Sequence, residues 1–396
     1  MSEYRFEVFK PELLDQVVRL RQELWGGSRS DNIAYFIWRY LENPYLADPL
    51  VYVARHQGRV VGMRSMYGTG WVVPGIDHVV ILPCAADTGI TEQHRGNGLY
   101  ADLTGFAMAG LGDQGLPYVI NMSATPANLI TSIMTMGWRK VGSFEPLIRS
   151  AIPLSAGGPP AATAPVASVA TPLVRQLKRS EQLRRVVRKA RTARRNAFGR
   201  NPFGELDQHL RHAGSFSSVE VTSEPRPSVM ANLAARFDDP RRIHHLRDET
   251  YFAWRYSNPM ATRRWSPDRV HRRFLFLSAG NDAGYAVLQG DPGGSRVDLV
   301  DWTGDEGSFA ELLRIAITLI KPEHLGTWGV TVPAPFKQRL DQSGFVPDGR
   351  DSLARRKGLI VKALLSNESD KWTIGNHELL DITNWDLRMI QSDALM

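Results

Sequence analysis

The chain has 396 residues, more than one ordinary hydrophobic core accommodates, so its length predicts two domains. Its composition, 43% hydrophobic and 22% charged, is typical of a globular protein and excludes the disordered and fibrous classes. A single cysteine, Cys84, excludes an internal disulfide framework and any metal site built from several cysteines. The N-terminus has no signal-peptide pattern, and no apolar run of about 18 residues occurs, so we expect a soluble, cytoplasmic protein.

The net charge of +7 comes from one segment. Residues 171–203 contain eleven Arg or Lys, all from Arg175 to Arg200, against the single acid Glu181, so this segment carries +10 and the rest of the chain −3. Aliphatic residues recur there at helical spacing, which predicts a basic amphipathic helix after an Ala- and Pro-rich linker. Three roles stay open: a solvated linker helix, a peripheral contact with an anionic membrane on its inner face, and nucleic-acid binding, which the lack of interleaved aromatic residues disfavours.

The first 150 residues predict alternating helices and strands, because apolar residues follow periods of 3.6 and 2. An amphipathic helix is predicted from Glu7 to Trp25, and a short aromatic helix from Tyr35 to Tyr40, which Asn43-Pro44 ends. Four strands, a helix, a strand, a helix and a last strand follow, at residues 50–54, 60–66, 71–73, 78–88, 99–111, 117–122, 127–136 and from 141 onward.

A glycine-rich turn, Gln93-His-Arg-Gly-Asn-Gly98, connects the strand that contains Asp87 to the helix that begins at Leu99. Gly96 and Gly98 permit positive φ and a close backbone approach, and the first N–H groups of the helix point to the same place. This arrangement is typical of a phosphate-binding loop. The alternative is a tight turn that only joins a strand to a helix.

The turn resembles the pyrophosphate loop of the GNAT superfamily of acyl-CoA N-acyltransferases, in which QxxGxG follows a strand and begins a helix. Two further signals fit the resemblance, Asn128 near the start of a later helix and Gly137-Trp138 at its end. The resemblance implies acetyl-CoA, or another acyl-CoA, as the donor substrate and a small-molecule amine as the acceptor, with no metal.

The second half repeats this pattern. Tyr251-Phe-Ala-Trp-Arg-Tyr256, followed by Asn258-Pro259, restates the aromatic segment at Tyr35–Tyr40 and its Asn-Pro. Strands, helices and a Gly-aromatic pair then follow in the same order, at residues 273–278, 284–289, 296–302, 309–320, 327–332, from 335 and at 344–345. The repeat predicts a second copy of the same fold.

The second copy lacks the glycine-rich loop. Between Val300 and Phe309 the sequence is Asp-Trp-Thr-Gly-Asp-Glu-Gly-Ser, whose three acids would repel a phosphate. We therefore expect this copy to be degenerate and non-catalytic. An apolar strand at Gly358–Leu365 and a polar tail end the sequence, and their role is not predicted.

Two tandem copies resemble bacterial GNAT proteins associated with polysaccharide biosynthesis, which implies an amino sugar as one acceptor class. We predict an α/β (α+β) fold of two tandem GNAT-like domains, each a mixed, mostly antiparallel sheet flanked by helices. The predicted boundaries are an N-terminal, acyl-CoA-binding and catalytic domain over residues 1–154, a linker with the Arg-rich helix over 155–215, and a degenerate domain with its tail over 216–396. The sequence makes no prediction about oligomers.

The resemblance places the donor along the strand end, the loop and the later helix. The residues expected to contact it are Thr88, Gly89, Ile90, Gln93, His94, Arg95, Gly96, Asn97, Gly98, Leu99 and Asn128. Backbone N–H groups near Thr88–Ile90 would polarise the acyl carbonyl, and pantetheine would lie between that strand and Tyr118–Met122. Arg95 would add a cation, and Asn128 suits an N-cap equally well.

Candidates for acid–base chemistry follow from the same resemblance. Asp87 is the first candidate for the general base, followed by His78 and Asp77; the alternative is that Asp87 only orders the turn or that water carries the proton. Ile133 stands where the family often has a tyrosine that protonates the leaving thiolate. Tyr100, Ser132 or water would replace it, or the thiolate leaves unassisted.

These departures leave a competing hypothesis. The chain would keep the GNAT fold as a binding module for acyl-CoA or for a membrane surface, without turnover. Ile133 and the degenerate second copy motivate this alternative.

Overall fold

The computed structural model describes residues 4–124, 126–151, 219–258, 271–279, 282–290, 296–320, 322–349, 357–365 and 372–392. The predicted linker and the basic segment from Arg175 to Arg200 lie outside the described residues, so the proposed membrane contact stays a prediction. No helix among the described residues combines the length and the apolar character that crossing a membrane requires.

In the first half, the described α-helices are α1 (Leu14–Trp25), α2 (Arg29–Phe36), α3 (Leu99–Asp113) and α4 (Pro126–Thr135). The strands are β1 (Arg5–Val8), β2 (Val51–His56), β3 (Arg59–Tyr67), β4 (Gly70–Val72), β5 (Val80–Ile81), β6 (Cys84–Ile90), β7 (Tyr118–Asn121), β8 (Arg139–Ser143) and β9 (Pro146–Ser150).

In the second half, the described α-helices are α5 (Pro227–Phe237), α6 (Glu249–Tyr256), α7 (Glu306–Ile315) and α8 (Ala334–Gln342). The strands are β10 (Val219–Thr222), β11 (Ile243–His245), β12 (His271–Ala279), β13 (Asp282–Gly290), β14 (Arg296–Gly304), β15 (His324–Trp328), β16 (Val346–Pro347), β17 (Gly358–Ala363), β18 (Thr373–Ile374), β19 (His377–Glu378) and β20 (Trp385–Asp386).

The ends of several elements differ from the sequence prediction. The chain forms β1 where the first helix was expected to begin, and the helical segment starts at Pro11, which suits a first turn. The strand expected over residues 78–88 is two strands, β5 and β6, interrupted at Pro83, which has no N–H to donate to a ladder. α2 begins six residues before Tyr35, because the Ser28 side chain caps it by accepting from the Asp31 N–H.

Two seven-stranded sheets repeat the same strand order. The first is β1-β2-β3-β6-β7-β17-β8, and the second is β10-β12-β13-β14-β15-β9-β16. Each strand of the first sheet has a counterpart at the same place in the second, so the predicted duplication of the fold is visible strand by strand.

The halves exchange one strand each. β17, from the end of the chain, lies between β7 and β8 of the first sheet, and β9, from the first half, lies between β15 and β16 of the second. The predicted boundaries at residues 154 and 216 divide the chain by sequence position. Each of the two large sheets contains one strand from the other side of these boundaries. Because β17 separates β7 from β8, the first sheet needs the second half to be complete.

The duplicated aromatic segments meet where the halves join. The indoles of Trp38 and Trp254 stack with centroids 5.2 Å apart, and each Nε1–H donates to the carbonyl of the other residue, at 2.8 and 2.9 Å. A third sheet, β20-β11-β4-β5, also takes strands from both halves. The aromatic repeat therefore forms a buried junction, as its helical spacing favours.

Candidate functional site

The two central strands of the first sheet separate soon after they meet. β6 and β7 are parallel and pair at one position, Cys84 with Ile120, although β6 continues to Ile90. On its other edge, β6 pairs with β3, and the Thr91 N–H donates to the Val61 carbonyl at 2.9 Å. Because such donors alternate along an antiparallel strand, the N–H groups of Thr88 and Ile90 point away from β3, into the opening.

A β-bulge marks the point where β6 turns away. The pairing with β3 shifts register between Arg64 and Met66, which leaves an extra residue of β6 beside Asp87. The Asp87 carboxylate forms an ion pair with Arg21 of α1, and these side chains are only 2% and 1% exposed. The Tyr40 hydroxyl donates to Asp87 Oδ2 at 2.9 Å and is 2.7 Å from Ser65 Oγ. Burial, with the charge of Asp87, raises the pKa of Tyr40 well above its ordinary value, so this phenol stays protonated.

The glycine-rich loop adopts the conformation that its sequence predicts. Gly96 and Gly98 have φ of 87° and 75°, and a Cβ built on either would meet nothing within 4 Å. Gly98 is the N-cap of α3 and supplies no side chain to the free N–H groups of the first turn. The loop thus combines two glycines of positive φ, with open space at their Cβ positions, with the free N–H groups of the first turn of α3, an arrangement typical of a phosphate-binding loop.

The side chains of the loop divide between solvent and anchoring contacts. Gln93 and Asn97 are exposed, and Leu99, the first residue of α3, is buried. Arg95 Nε donates to the Ile90 carbonyl at 2.9 Å, which ties the loop to the end of β6. His94 Nδ1 lies 2.9 Å from the Tyr4 hydroxyl, and its ring packs edge-on against His56. The strand residue Gly89 lets Leu24 of α1 approach the backbone.

Three predicted residues lie on α4. Asn128 is the third residue of this helix and is exposed, so it lies inside the first turn rather than at the N-cap. Ile133 is half-buried against the core beneath α3, and Ser132 is buried. Ile133 has no proton to donate to a leaving thiolate, as the sequence indicates.

The remaining acid–base candidates differ in their surroundings. His78 precedes β5 with a side chain that is 74% exposed, and the fully exposed Asp77 lies 3.3 Å from it. Tyr100 is half-buried in the first turn of α3, on the side of the sheet that carries the loop. Asp87 and Thr88 lie on β6, and the glycine-rich loop follows this strand. His78 lies apart from them, in the turn between β4 and β5 of the third sheet.

Arg64 is a residue of this opening that sequence reasoning missed. It lies on β3, is 5% exposed, and Nη1 donates to the Thr88 hydroxyl at 2.6 Å, while Nε has no hydrogen-bond partner among the described residues. Burial lowers the pKa of its guanidinium, and Tyr100 is the largest electrostatic influence that opposes this shift. An arginine in the predicted strand Val60–Met66 was the available signal, because a charge there needs a partner.

Arg21 was missed as well. It occurs on the apolar face of α1, one turn after Val17 and one turn before Leu24, and a charge at such a position predicts a buried counter-charge. The structure supplies that charge from Asp87.

The corresponding turn of the second half is closed. β14 ends at Gly304 and α7 begins at Glu306, so one residue replaces the eight between β6 and α3. The Asp305 carboxylate caps α7 by accepting from the Ser308 N–H at 2.7 Å, and a Cβ on Gly304 would lie 3.1 Å from the Ala283 carbonyl oxygen. No space for a phosphate resembling that at Gly96 exists in this turn.

Three solved structures resemble the chain over most of its length. The match to a GCN5-related N-acetyltransferase from Anabaena variabilis covers 92% of this chain and 73% of the Anabaena chain, with a TM-score of 0.55 at 13% identity. Eis1 from Mycobacterium abscessus covers 92% and 74%, with a TM-score of 0.51 at 12% identity. A probable N-acyltransferase from Enterococcus faecalis covers 92% and 73%, with a TM-score of 0.52 at 8% identity. The chain has a GNAT fold.

The predicted α/β fold class and the resemblance to GNAT proteins are therefore confirmed at the level of the fold. No family model matches the sequence, and no curated protein matches it. Within the described residues of the two GNAT halves, no group of three or more His, Cys, Asp or Glu side chains is arranged to hold a metal ion. Cys84 is fully buried, as expected for a small apolar side chain.

Proposed function

We propose that the chain is an N-acyltransferase that moves an acyl group, in the first instance acetyl, from acyl-CoA to a small-molecule amine in its first half. The observation that carries the proposal is the coincidence of two features at the C-terminal end of β6: open glycines of positive φ in the loop that follows it, and outward N–H groups of the strand beside the opening. A pyrophosphate and a pantetheine chain need both features on one strand. The second half lacks a comparable loop, although β14 also leaves its parallel neighbour three residues before the bulge aspartate, as β6 does.

The residues fit an extended donor. Backbone N–H groups from Gly96 to Leu99 would hold the pyrophosphate, since the Arg95 N–H already donates to the Glu92 carbonyl. Gln93, His94 and Asn97 would lie around it, and Gly89, Ile90 and Asn128 along the rest of the donor. The Thr88 N–H would donate to the thioester carbonyl and stabilise the negative charge that develops there.

The reaction joins the amine nitrogen to the thioester carbon and breaks the carbon–sulfur bond. The nitrogen loses one proton, and the sulfur of CoA gains one, so protons balance overall. We propose Tyr100 as the group that gives the sulfur its proton, because this phenol is half-buried beside the donor loop and close to the charge of Arg64. Tyr100→Phe is expected to lower kcat at least tenfold with little change in KM.

Asp87 and His78 stay predictions for the base, and the surroundings favour different roles for them. We propose that Asp87 positions the bulge, since its carboxylate is engaged by Arg21 and Tyr40. The exposed His78 lies apart from the loop, before β5, and would accept the proton through water. If His78 is the base, His78→Gln removes the acidic limb of the pH profile of kcat/KM; an unchanged profile leaves the transfer to water.

The loop assignment is tested by titrating acetyl-CoA calorimetrically into the wild type, Gly96→Trp and Gly115→Trp. Gly115 is a matched control, because it is exposed at the other end of α3, has φ of 76° and also has open space around its Cβ position. Saturable binding to the wild type and to Gly115→Trp, with at least tenfold weaker binding to Gly96→Trp, is expected. Equal affinities for all three proteins contradict the donor site.

Turnover is tested separately, by release of free thiol from acetyl-CoA with a panel of amino sugars, alkylamines and aromatic amines. An amino sugar is the narrower proposal for the acceptor, and it rests on the tandem arrangement of the halves. Donor binding without thiol release across the whole panel would favour the alternative of a non-catalytic acyl-CoA-binding protein.

A further inference from the structure

A cavity of about 470 Å³ lies in the second half, away from the glycine-rich loop, under the C-terminal end of α5. Its walls are mostly apolar and include Val72 from the first half. Four polar side chains reach it from the segment after α5, namely Asp238, His244, Arg247 and Asp248, and Asn232 adds an amide. An apolar cavity of this size with a few converging polar groups is the usual form of a small-molecule site.

The polar wall carries an excess of negative charge. Arg247 binds two buried carboxylates, Asp238 at 2.6 Å and Asp301 at 2.9 Å. Behind them, Arg388 pairs with Asp386 at 3.1 Å, and Asp386 Oδ1 has no hydrogen-bond partner among the described residues. Three carboxylates therefore face two guanidinium groups, and Asp248 adds a further carboxylate at the cavity.

Among the described residues that follow α5, neither Arg241 nor Arg242 supplies the missing cation. Arg241 is exposed and holds the neighbouring Asp239 in a two-point contact, and Arg242 donates to the Thr331 carbonyl. Burial raises the pKa of the Asp238 carboxyl, against the opposing influence of Arg247 and Arg388. A positive charge in the cavity would favour the ionised form of this carboxyl.

Arg247 also offers a hydrogen-bond donor at the cavity. It lines the cavity, and Nη1 carries a second N–H besides the one that Asp238 accepts. A ligand oxygen would accept from this N–H, while a ligand ammonium would balance Asp238 and Asp248. A small molecule that carries an ammonium and a hydroxyl on one apolar body is an amino alcohol.

We propose that this cavity is a second, non-catalytic site that binds a small amino alcohol, with its ammonium at Asp238 and its hydroxyl near Arg247. The second half has a closed turn in place of a donor loop, so no acyl group would reach a ligand bound there. The site adds ligand recognition to the half that lacks a donor site, and it does not depend on acyl transfer in the first half.

The test is calorimetric titration of 2-amino-1-phenylethanol into the full chain, compared with 1-phenyl-1,2-ethanediol, in which a hydroxyl replaces the ammonium. Saturable binding of the amine and at least tenfold weaker binding of the diol are expected. Equal binding of the two compounds, or no binding of the amine and of its cyclohexyl analogue, overturns the proposal.

Four variants test whether the amine binds in this cavity. Asp238→Asn should weaken the amine at least tenfold, whereas the adjacent Asp239→Asn should not, because Asp239 does not line the cavity. Ala235→Trp, an exposed lining position whose indole would fill the opening, should abolish binding even if Asp238→Asn fails to fold. Gly96→Trp should bind the amine as the wild type does. Wild-type affinity in both Asp238→Asn and Ala235→Trp would rule out this cavity, whatever the outcome for acetyl-CoA.

Discussion

The two halves share a buried charge cluster at the centre of the sheet and differ in the loop beside it. In the first half Asp87 binds Arg21 and Tyr40, and in the second half Asp301 binds Arg247, Tyr285 and Tyr256. Tyr40 and Tyr256 are the last residues of the two aromatic repeats. Both aspartates lie beside a bulge in the strand that precedes the helix.

This comparison separates what the fold needs from what a donor needs. A carboxylate at the bulge occurs in the half without a phosphate loop, so its contacts serve the shape of the strand in both halves. The parallel strands also separate at the same place in both halves, because the last pair lies three residues before the aspartate, at Cys84 and at Asp298. The first half differs by the eight residues of loop between β6 and α3.

The largest expected effect comes from removing the charge of either aspartate. Asp87→Asn leaves the buried Arg21 guanidinium without its carboxylate, which costs about 3–5 kcal/mol of unfolding free energy, whereas Asp301→Asn leaves Arg247 with its second carboxylate, Asp238, and costs less. Chemical denaturation of both variants measures this cost. Asp87→Asn should also lower kcat by about 10²-fold through misplacement of the donor site, while keeping the acidic limb of the pH profile. Disappearance of that limb would identify Asp87 as the general base instead.

The Asp301 variant is the matched control for that experiment. It should be destabilised less than Asp87→Asn, because Asp238 still pairs with Arg247, and should turn over acetyl-CoA at the wild-type rate. A loss of turnover in Asp301→Asn equal to that in Asp87→Asn would break the distinction between the halves.

Acid should loosen the junction between the halves through His245. This side chain is buried among Trp71, Tyr251 and Tyr45, and burial lowers its pKa from 6.5 to about 3. Because the folded-state pKa lies below the unfolded one, the stabilising contribution is complete above about pH 6.5 and is lost as the pH falls toward 3. At pH 4.5 the loss is roughly 2–3 kcal/mol.

The measurement is the unfolding free energy of the wild type and of His245→Gln between pH 7 and 4.5. The wild type should lose more unfolding free energy than the variant over this range, by roughly 2–3 kcal/mol. Parallel curves would show that His245 can be protonated in the folded protein without cost.

The stacked indoles test whether the halves are coupled. Trp38→Phe and Trp254→Phe each remove one N–H donor and leave a buried carbonyl without it, at a cost of about 1–3 kcal/mol. A double-mutant cycle on unfolding free energy should give a coupling of about 0.5–1.5 kcal/mol, since the rings also stack. Additive effects would mean that the two contacts are independent.

Some of these features could be predicted from the sequence because their causes are local. Gly96 and Gly98 can adopt a left-handed backbone at little cost, so the loop before Leu99 is visible without any tertiary information. The repeated aromatic segment gave the duplication for a similar reason, since four aromatic residues and an arginine recur in one order.

The exchange of β9 and β17 has no local cause. Gly358–Ala363 is an apolar strand that could pair in either sheet, and only the geometry of the whole chain decides that it lies between β7 and β8. The two charge clusters were hidden for the same reason: Arg21 comes from a helix, whereas Arg247 comes from the segment after β11. Partners that occupy different places in the two copies leave no repeat in the sequence.

Arg64 provides the smallest expected effect and the sharpest test of the opening in the first half. Its guanidinium lies against Thr88, whose N–H points into the opening, and Nε has no partner among the described residues. A donor oxygen would gain a charge-assisted hydrogen bond there, so Arg64→Met should weaken acetyl-CoA about tenfold, and Arg64→Lys should weaken it less. Arg55→Met is the control, because Arg55 lies on the neighbouring strand and pairs with Glu7. Equal losses in Arg64→Met and Arg55→Met would indicate a general effect on the sheet, and a loss confined to Arg64 would place the donor beside Thr88.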